Sequence, residues 1–131
     1  MSGVVTTINP PNSAMLQLVD YSVESSSPLF IVGDVKTSIS WEEVNCQFLS
    51  IQKQSKLSFE TVLTSPLNHY ARKNIGYLCS FQQNVDWVYE TDDDNSPTQN
   101  PFLQRQREFT ATPFHSPGPW LNTYEVFLAG Q

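Results

Sequence analysis

The sequence of 131 residues is poor in cysteine and in basic residues, and it contains no long hydrophobic run. Its two cysteines, Cys46 and Cys79, are far apart and form no Cys-x-x-Cys pair, so a structural zinc site is not expected. We predict that both are buried free thiols, with a disulfide between them as the alternative. No run of about 18 apolar residues is present, so no membrane span is predicted in this sequence.

The scarcity of basic residues bears on possible partners. Lys and Arg total 7 against 13 acidic residues, which gives a formal net charge of −6. Nucleic-acid binding needs clustered Lys and Arg to neutralise phosphates, so nucleic acid is not an expected partner. Residues 1–7 lack the charged and hydrophobic regions of a secretory signal, so no signal peptide is predicted and the location of the protein stays open.

The remaining composition is that of a globular domain, with 39% hydrophobic and 15% charged residues. Residues 4–8 are rich in β-branched side chains and stop at a turn signal, Asn9-Pro10-Pro11, after which Asn12 or Ser13 caps a helix. Residues 29–32 form a continuous apolar run, which is typical of a strand buried on both faces. Strand, helix and strand in this order predict a parallel α/β sheet.

Further elements follow along the chain. We predict a helical turn over residues 40–44, a strand over 46–51, a helix over 68–84 with Asn68 as its N-cap, and a strand over 87–89. Gly76 costs about 1 kcal/mol relative to alanine within a helix, which indicates close packing against the sheet or a ligand. The apolar stripe of this helix is expected to consist of Ala71, Ile75, Leu78, Cys79 and Phe81.

We predict one domain over residues 1–131, with a long proline-rich loop at 96–119 and one short strand within it at 107–112. A loop as long as residues 96–119 in a compact domain is usually functional or disordered. Trp41, which lies outside this loop, is interpreted as a core or loop anchor rather than as a platform for stacking on a sugar.

Three adjacent aspartates lie at the end of the strand predicted at residues 87–89, just after Glu90 and Thr91. Ligands of open α/β sheets bind beyond the carboxyl ends of the strands, and adjacent carboxylates repel one another unless a cation lies among them. On an extended backbone Asp92 and Asp94 project to one side and Asp93 to the other, so Asp92 and Asp94 are predicted ligands of Mn²⁺ or Mg²⁺. The alternatives are a solvated acidic loop or a calcium loop, although the glycine of an EF-hand is absent.

Two other groups of polar residues are candidates for binding a nucleotide. Arg72 and Lys73 are adjacent cations near a predicted helix N-terminus and suit a phosphate, or they form a solvated helix face. Asp34 and Lys36 follow the second strand, where Asp34 accepts hydrogen bonds from a ribose or base, or lies in an ordinary turn. His69 is interpreted as a helix-cap residue rather than a catalytic base, and the sequence contains no P-loop, G-x-G-x-x-G or G-x-S-x-G motif.

Six segments of the sequence together carry a family resemblance. They are residues 5–11, 32–37, 49–54, 69–78, 89–95 and 122–127. This series resembles the STELLO-type glycosyltransferase family of plants, protists, nematodes and large viruses, over nearly the whole chain. Its most specific part is the Arg-Lys-Asn-x-Gly-Tyr-Leu stretch that begins at Arg72, followed by the acidic end of the next strand.

The resemblance implies a GT-A-like fold, in which a Rossmann-type, mostly parallel sheet flanked by helices binds a nucleotide sugar. It places the turn after the first strand, together with Asp34, against the nucleoside, and the adjacent cations near the diphosphate. Asp92 and Asp94 would play the part of a DxD motif that holds Mn²⁺ or Mg²⁺. The expected nucleotide and diphosphate contacts are Thr7, Asn9, Asp34, Lys36, Arg72, Lys73 and Asp93.

The function implied is transfer of a sugar from a nucleotide-diphosphate sugar to an unknown acceptor, a glycan or a protein. Family members continue into a Trp-Pro-Arg-Gly segment and an acceptor-binding half, whereas this chain stops at Gln131. We therefore expect a C-terminally truncated, donor-binding half, and no catalytic base is assigned. Plant members are Golgi membrane proteins, but we predict no membrane anchor in this sequence, so that location is not carried over. The alternatives are a non-catalytic nucleotide-sugar-binding module and a purely structural fragment.

Overall fold

The computed structural model describes residues 1–103, 108 and 110. Within this part of the chain, four strands form one parallel sheet in the order β3-β2-β1-β4. The strands are β1 (Ser2–Thr7), β2 (Leu29–Gly33), β3 (Gln47–Leu49) and β4 (Val88–Asp92). The helices are α1 (Ser13–Glu24), α2 (Ile51–Gln54), α3 (Glu60–Thr64) and α4 (Lys73–Gln82), with 3₁₀ helices at Ile39–Glu43 and Tyr70–Arg72.

Each face of the sheet packs against helices, as the predicted α/β fold requires. On one face Val5 and Ile31 lie in a buried cluster with side chains of α1. On the other face Val4 and Val32 cluster with Cys79 of α4. Strand β2 is buried along its whole length, which explains its continuous apolar run. The predicted α/β sheet flanked by helices is confirmed, and it is compatible with part of a GT-A-like Rossmann domain.

Helix α1 begins as the sequence predicted. Asn12 is the N-cap, and its side-chain Oδ1 accepts a hydrogen bond of 2.9 Å from the backbone N–H of Met15. Met15, Leu18 and Val19 are buried on one side of the helix. Their spacing of three and four residues is that of an amphipathic helix packed on a sheet.

Helix α4 begins later and ends earlier than the predicted helix over 68–84, since it runs from Lys73 to Gln82. Asn68 is not the N-cap, because its φ of 53° lies in the left-handed region. His69 instead caps the 3₁₀ turn Tyr70–Arg72, from which α4 continues. The inclusion of Phe81 in the apolar stripe was also wrong, because 63% of it is exposed.

Gly76 has the packing role that its position in the helix suggested. A Cβ atom there would lie 2.6 Å from Cγ1 of Val4 and 2.7 Å from Cγ2 of Val32. Those separations are shorter than any ordinary carbon contact, so only glycine lets α4 approach the sheet this closely.

The ends of strands β3 and β4 also differ from the predicted ones, for identifiable reasons. The strand predicted over residues 46–51 is shorter, since Ser50 caps the short helix α2. Strand β4 extends beyond residue 89 to Asp92, since this edge strand has partly exposed faces that tolerate polar residues. The two short helices α2 and α3 were not predicted.

The segment after β4 is described only in part. Phe102 packs into the core beside Tyr89, with ring centroids 6.0 Å apart and an edge-to-face angle of 69°. The strand predicted at residues 107–112 and the rest of the predicted loop to 119 fall outside the described residues, apart from 108 and 110. Both cysteines are free thiols as predicted, and Cys79 is buried, but the predicted burial of Cys46 was wrong because it is half-buried. None of the helices in the described ranges has the length and apolar character needed to cross a membrane.

Candidate functional site

A cleft of about 560 Å³ lies at the carboxyl ends of β1, β2 and β4. The chain leaves β1 for β2 and β3 on one side and returns to β4 on the other, so the strand order reverses at β1. Ligands of open parallel sheets bind at such a switch point. The lining residues are Thr6, Thr7, Ile8, Asn9, Val32, Gly33, Asp34, Lys36, Asn68, His69, Tyr70, Arg72, Asp92, Asp93 and Asp94.

Asp93 ties the loop after β4 to the loop after β1. Its Oδ2 accepts hydrogen bonds from the hydroxyl of Thr7 and from Nδ2 of Asn9, the latter at 2.9 Å. Its backbone oxygen accepts a bond of 2.8 Å from Nδ2 of Asn12. The predicted contacts Thr7, Asn9 and Asp93 are therefore brought together, and in this arrangement they bind one another.

The alternation of side-chain direction that was expected along the three aspartates stops at Asp92. Strand β4 ends there, and Asp93 and Asp94 lie in a turn. Asp93 consequently lines the same cleft as its two neighbours instead of pointing away from them. The expectation of opposite sides was wrong because it assumed an extended backbone through Asp94.

Two side chains, Thr37 and Trp41, position the loops that bound the cleft. The hydroxyl of Thr37 donates to the backbone oxygen of Thr7 at 2.6 Å, which holds the turn after β2 against the end of β1. Nε1 of the fully buried Trp41 donates to the backbone oxygen of Asn9 at 2.9 Å. Trp41 is thus the core anchor that the sequence suggested, and it fixes the loop carrying Asn9.

Lys73 is almost completely buried, with 1% of its side chain exposed. Its Nζ donates to Oε1 of Glu90 at 2.5 Å, to Oδ1 of Asp92 at 2.9 Å and to the hydroxyl of Tyr70 at 2.7 Å. These bonds use all three N–H groups of the ammonium. Lys73 is the one predicted contact that does not line the cleft, and it acts as an internal counter-ion of Asp92.

The hydrogen bonds around Lys73 shift the pKa of Lys73 and that of Glu90. Burial alone would lower the pKa of Lys73, but the hydrogen bonds to Glu90, Tyr70 and Asp92 outweigh it and raise the pKa. The same bonds, from Lys73 first and Tyr70 second, lower the pKa of Glu90. The pair is therefore fully ionised at neutral pH.

Arg72 lines the cleft but is largely engaged by the protein. Its Nε and one terminal nitrogen donate to Oε1 of the buried Gln54 at 2.9 and 2.5 Å, and the other terminal nitrogen donates to the backbone oxygen of Ser65 at 3.0 Å. Gln54 in turn donates to the backbone oxygens of Gly33 and Leu49. Three of the five N–H groups of the guanidinium are used, so two remain for a ligand.

Asp34 and Lys36 lie at the end of β2. The Asp34 carboxylate accepts a bond of 2.7 Å from the N–H of Val35 and one of 3.2 Å from the N–H of His69. Burial by itself would raise the pKa of Asp34. Hydrogen bonds from the backbone N–H groups of Asn68, Val35 and His69 outweigh that effect, so the pKa lies below its ordinary value. Lys36 is exposed and has no partner within the described residues.

The cleft has an excess of negative charge. Four carboxylates line it, against the two cations Lys36 and Arg72. Within the described ranges, no three His, Cys, Asp or Glu side chains form a group that could hold a metal ion. Asp94 and the Oδ2 atom of Asp92 have no partner in the same part of the chain, so the cleft offers one or two carboxylates to a divalent cation.

Sequence reasoning missed three side chains that hold this site, Gln54, Tyr70 and Glu90. A signal existed for Glu90, because it lies two residues before Asp92 on a strand and so shares its face. Tyr70 precedes Lys73 by three residues, a helical spacing that also places the two side chains together. No sequence signal joins Gln54 to Arg72, since their contact depends on how separate elements pack.

No protein-family model matches the chain. The chain is similar to a protein of Arabidopsis thaliana named "Probable glycosyltransferase STELLO1", with 29% identity over 62 residues. The match covers 47% of this chain and 8% of that protein, so the chain spans only a small part of its relative's length. This similarity supports a distant relationship to a glycosyltransferase and agrees with the α/β fold.

Proposed function

We propose that this chain is the donor-binding part of a glycosyltransferase, and that its cleft binds a nucleotide-diphosphate sugar together with Mn²⁺ or Mg²⁺. The observation that carries the proposal is the cleft at the switch point of a parallel sheet, lined by Asp34 and by the three aspartates at the end of β4. The similarity to a plant protein named as a glycosyltransferase supports the same reaction class. The acceptor, a glycan or a protein, is left open.

In this proposal the ion and the nucleotide bind as one unit. Asp94 and Oδ2 of Asp92 are hard oxygen donors, which fit Mn²⁺ or Mg²⁺. Because the described residues offer too few ligands for a closed metal site, phosphate oxygens and water would complete the coordination. A cation bound there supplies charge stabilisation to the diphosphate leaving group.

The other lining residues divide between the two ends of the ligand. The unused N–H groups of Arg72 and the free ammonium of Lys36 suit the phosphates. Asp34 and the loop that carries Thr7 and Asn9 suit the nucleoside. Lys73 has no donor left for a phosphate, so its contribution is to fix Oδ1 of Asp92.

Thermal unfolding in a two-by-two design tests the proposal. The wild-type chain is measured without ligand, with Mn²⁺, with UDP, GDP or dTDP, and with metal and nucleotide together. A ligand at 100 times its Kd stabilises a fold by about 2.7 kcal/mol. We expect one nucleotide plus Mn²⁺ to raise the unfolding temperature by more than the separate effects combined.

Two substitutions localise that effect. Asp94→Asn is expected to abolish the metal-dependent part of the shift, because it removes an ionised ligand without changing the shape of the side chain. Asp20→Asn makes the same change on the exposed side of α1, away from the cleft, and is expected to leave the shift intact. A folded wild-type chain that none of the three nucleotides stabilises, with or without Mn²⁺, would contradict the proposal.

A second measurement separates a glycosyltransferase from a binding module. A transferase is expected to hydrolyse its donor slowly in the presence of Mn²⁺ even without an acceptor, and Asp94→Asn should remove that activity. A non-catalytic module binds the nucleotide with no turnover. A purely structural fragment shows neither binding nor turnover.

A further inference from the structure

His69 lines the cleft with its ring held in one tautomer. Its Nδ1 accepts a hydrogen bond of 3.0 Å from the backbone N–H of Ala71, and this bond caps the 3₁₀ turn Tyr70–Arg72. A neutral imidazole that accepts at Nδ1 carries its proton on Nε2. The ring therefore presents an N–H donor at Nε2 that has no partner among the described residues.

The carboxylate of Asp34 is bound to the backbone of the same residue, His69. Its Oδ2 accepts a hydrogen bond of 3.2 Å from the backbone N–H of His69, and both residues line the cleft. An ionised carboxylate only accepts hydrogen bonds, and Nε2–H only donates. A hydroxyl group does both, so a neighbouring acceptor and donor suit a hydroxyl. A phosphate beside Asp34 would meet a like charge.

We propose that His69 is a nucleoside-binding residue, whose Nε2–H donates to a ribose hydroxyl that in turn donates to Asp34. This inference rests on the proposed function, because it needs a nucleotide in the cleft. It assigns the ribose to the part of the cleft beside Asp34 and His69. The aspartates at the end of β4 are left for the metal and the diphosphate.

The substitution His69→Asn separates the two roles of the ring. The amide oxygen of asparagine takes the place of Nδ1 and accepts from the N–H of Ala71, so the cap is kept and the Nε2–H donor is lost. His69→Gln does the reverse, because its amide nitrogen reaches the position of Nε2. We expect His69→Asn to unfold at the wild-type temperature and His69→Gln to unfold at a lower one.

Binding of UDP or GDP and of its 2′-deoxy and 3′-deoxy analogues is then measured by calorimetry in the presence of Mn²⁺. The wild-type chain is expected to bind the ribonucleotide more tightly than one of the deoxy analogues, because that analogue loses the hydrogen bonds to both His69 and Asp34. His69→Asn should reduce this preference roughly tenfold, the effect of one hydrogen bond, while binding that deoxy analogue as the wild type does. His69→Gln should retain it.

The outcomes distinguish this inference from the proposed function. Wild-type binding of the ribonucleotide with unchanged preference in His69→Asn overturns the role of His69 alone. An equal loss of affinity for all three nucleotides in His69→Asn also overturns it, because a general loss indicates a structural effect. Absence of nucleotide binding by the wild-type chain overturns the proposed function and this inference with it.

Discussion

Lys73 shows how one residue can serve the site without touching a ligand. A fully buried lysine is rare unless it is paired, and this one is paired with Glu90 and Asp92. Its ring contact with Tyr70, at 4.7 Å from Nζ to the ring centroid, adds to the same cluster. The ammonium therefore fixes the end of β4, where the proposed metal ligands begin.

Replacing Lys73 tests this structural role. We expect Lys73→Met to lower the free energy of unfolding by about 2 kcal/mol, less than for a fully buried pair because Glu90 and Asp92 are half exposed. Lys53→Met is the matched control, since Lys53 forms an exposed ion pair with Glu42, and should change stability by no more than about 0.5 kcal/mol. Equal effects of the two substitutions in urea denaturation would contradict the assignment.

The lowered pKa of Glu90 predicts the direction of the pH dependence. A carboxylate whose pKa lies below its unfolded value of 4.5 contributes stability that is fully present above that pH and is lost as the pH falls through the folded pKa. The raised pKa of Lys73 acts oppositely, so its contribution is lost only above its ordinary value of 10.5. Stability should therefore be flat at neutral pH and fall below pH 4.5.

Glu90→Gln tests that assignment, because glutamine cannot ionise. Urea denaturation at pH 7 and at mildly acidic pH is expected to show a smaller loss of stability for the variant than for the wild type. The loss should not vanish, since the pKa of Asp34 is lowered as well. An acid loss as large in the variant as in the wild type would show that Glu90 does not contribute.

At the scale of elements, the sequence predicts those whose burial pattern is regular. Strand β2 has an unbroken apolar run, and α1 has both an N-cap and a helical stripe, so each was located from the residues alone. Helices α2 and α3 have four and five residues, too few to show a helical period. The start of α4 was misplaced because asparagine favours both N-caps and left-handed positions, and Asn68 adopts the latter.

The prediction for α4 concerns the effect of replacing Gly76 on stability. Alanine is the better helix former by about 1 kcal/mol, yet its Cβ would press into the buried side chains of Val4 and Val32. Overpacking of this kind typically costs about 1–3 kcal/mol, so we expect Gly76→Ala to destabilise the fold on balance. Asn74→Ala is the control on the exposed side of the same helix and should be neutral or slightly stabilising. A stabilised Gly76→Ala chain in thermal unfolding would contradict the close packing.

At the scale of the whole molecule, the strand order creates the site. Pairing of β1 with both β2 and β4 brings Thr7 to Asp93 across 86 positions of sequence. The sequence predicted the polar residues of the site, and all of them except Lys73 line the cleft. It did not predict that several of them bind one another, because those contacts depend on turns whose geometry no periodic pattern encodes.

The most direct test of the proposed site is paramagnetic broadening of amide NMR signals by Mn²⁺. With UDP or the preferred nucleotide present, Mn²⁺ is expected to broaden the amides of Thr7, Asp34 and Asp93 and to leave that of Asp20 sharp. Mg²⁺ with the same nucleotide should shift these amides without broadening them. Broadening centred elsewhere, for instance on the exposed pair Glu42 and Glu43, or no nucleotide-dependent broadening at all, would contradict a metal–nucleotide site at the switch point.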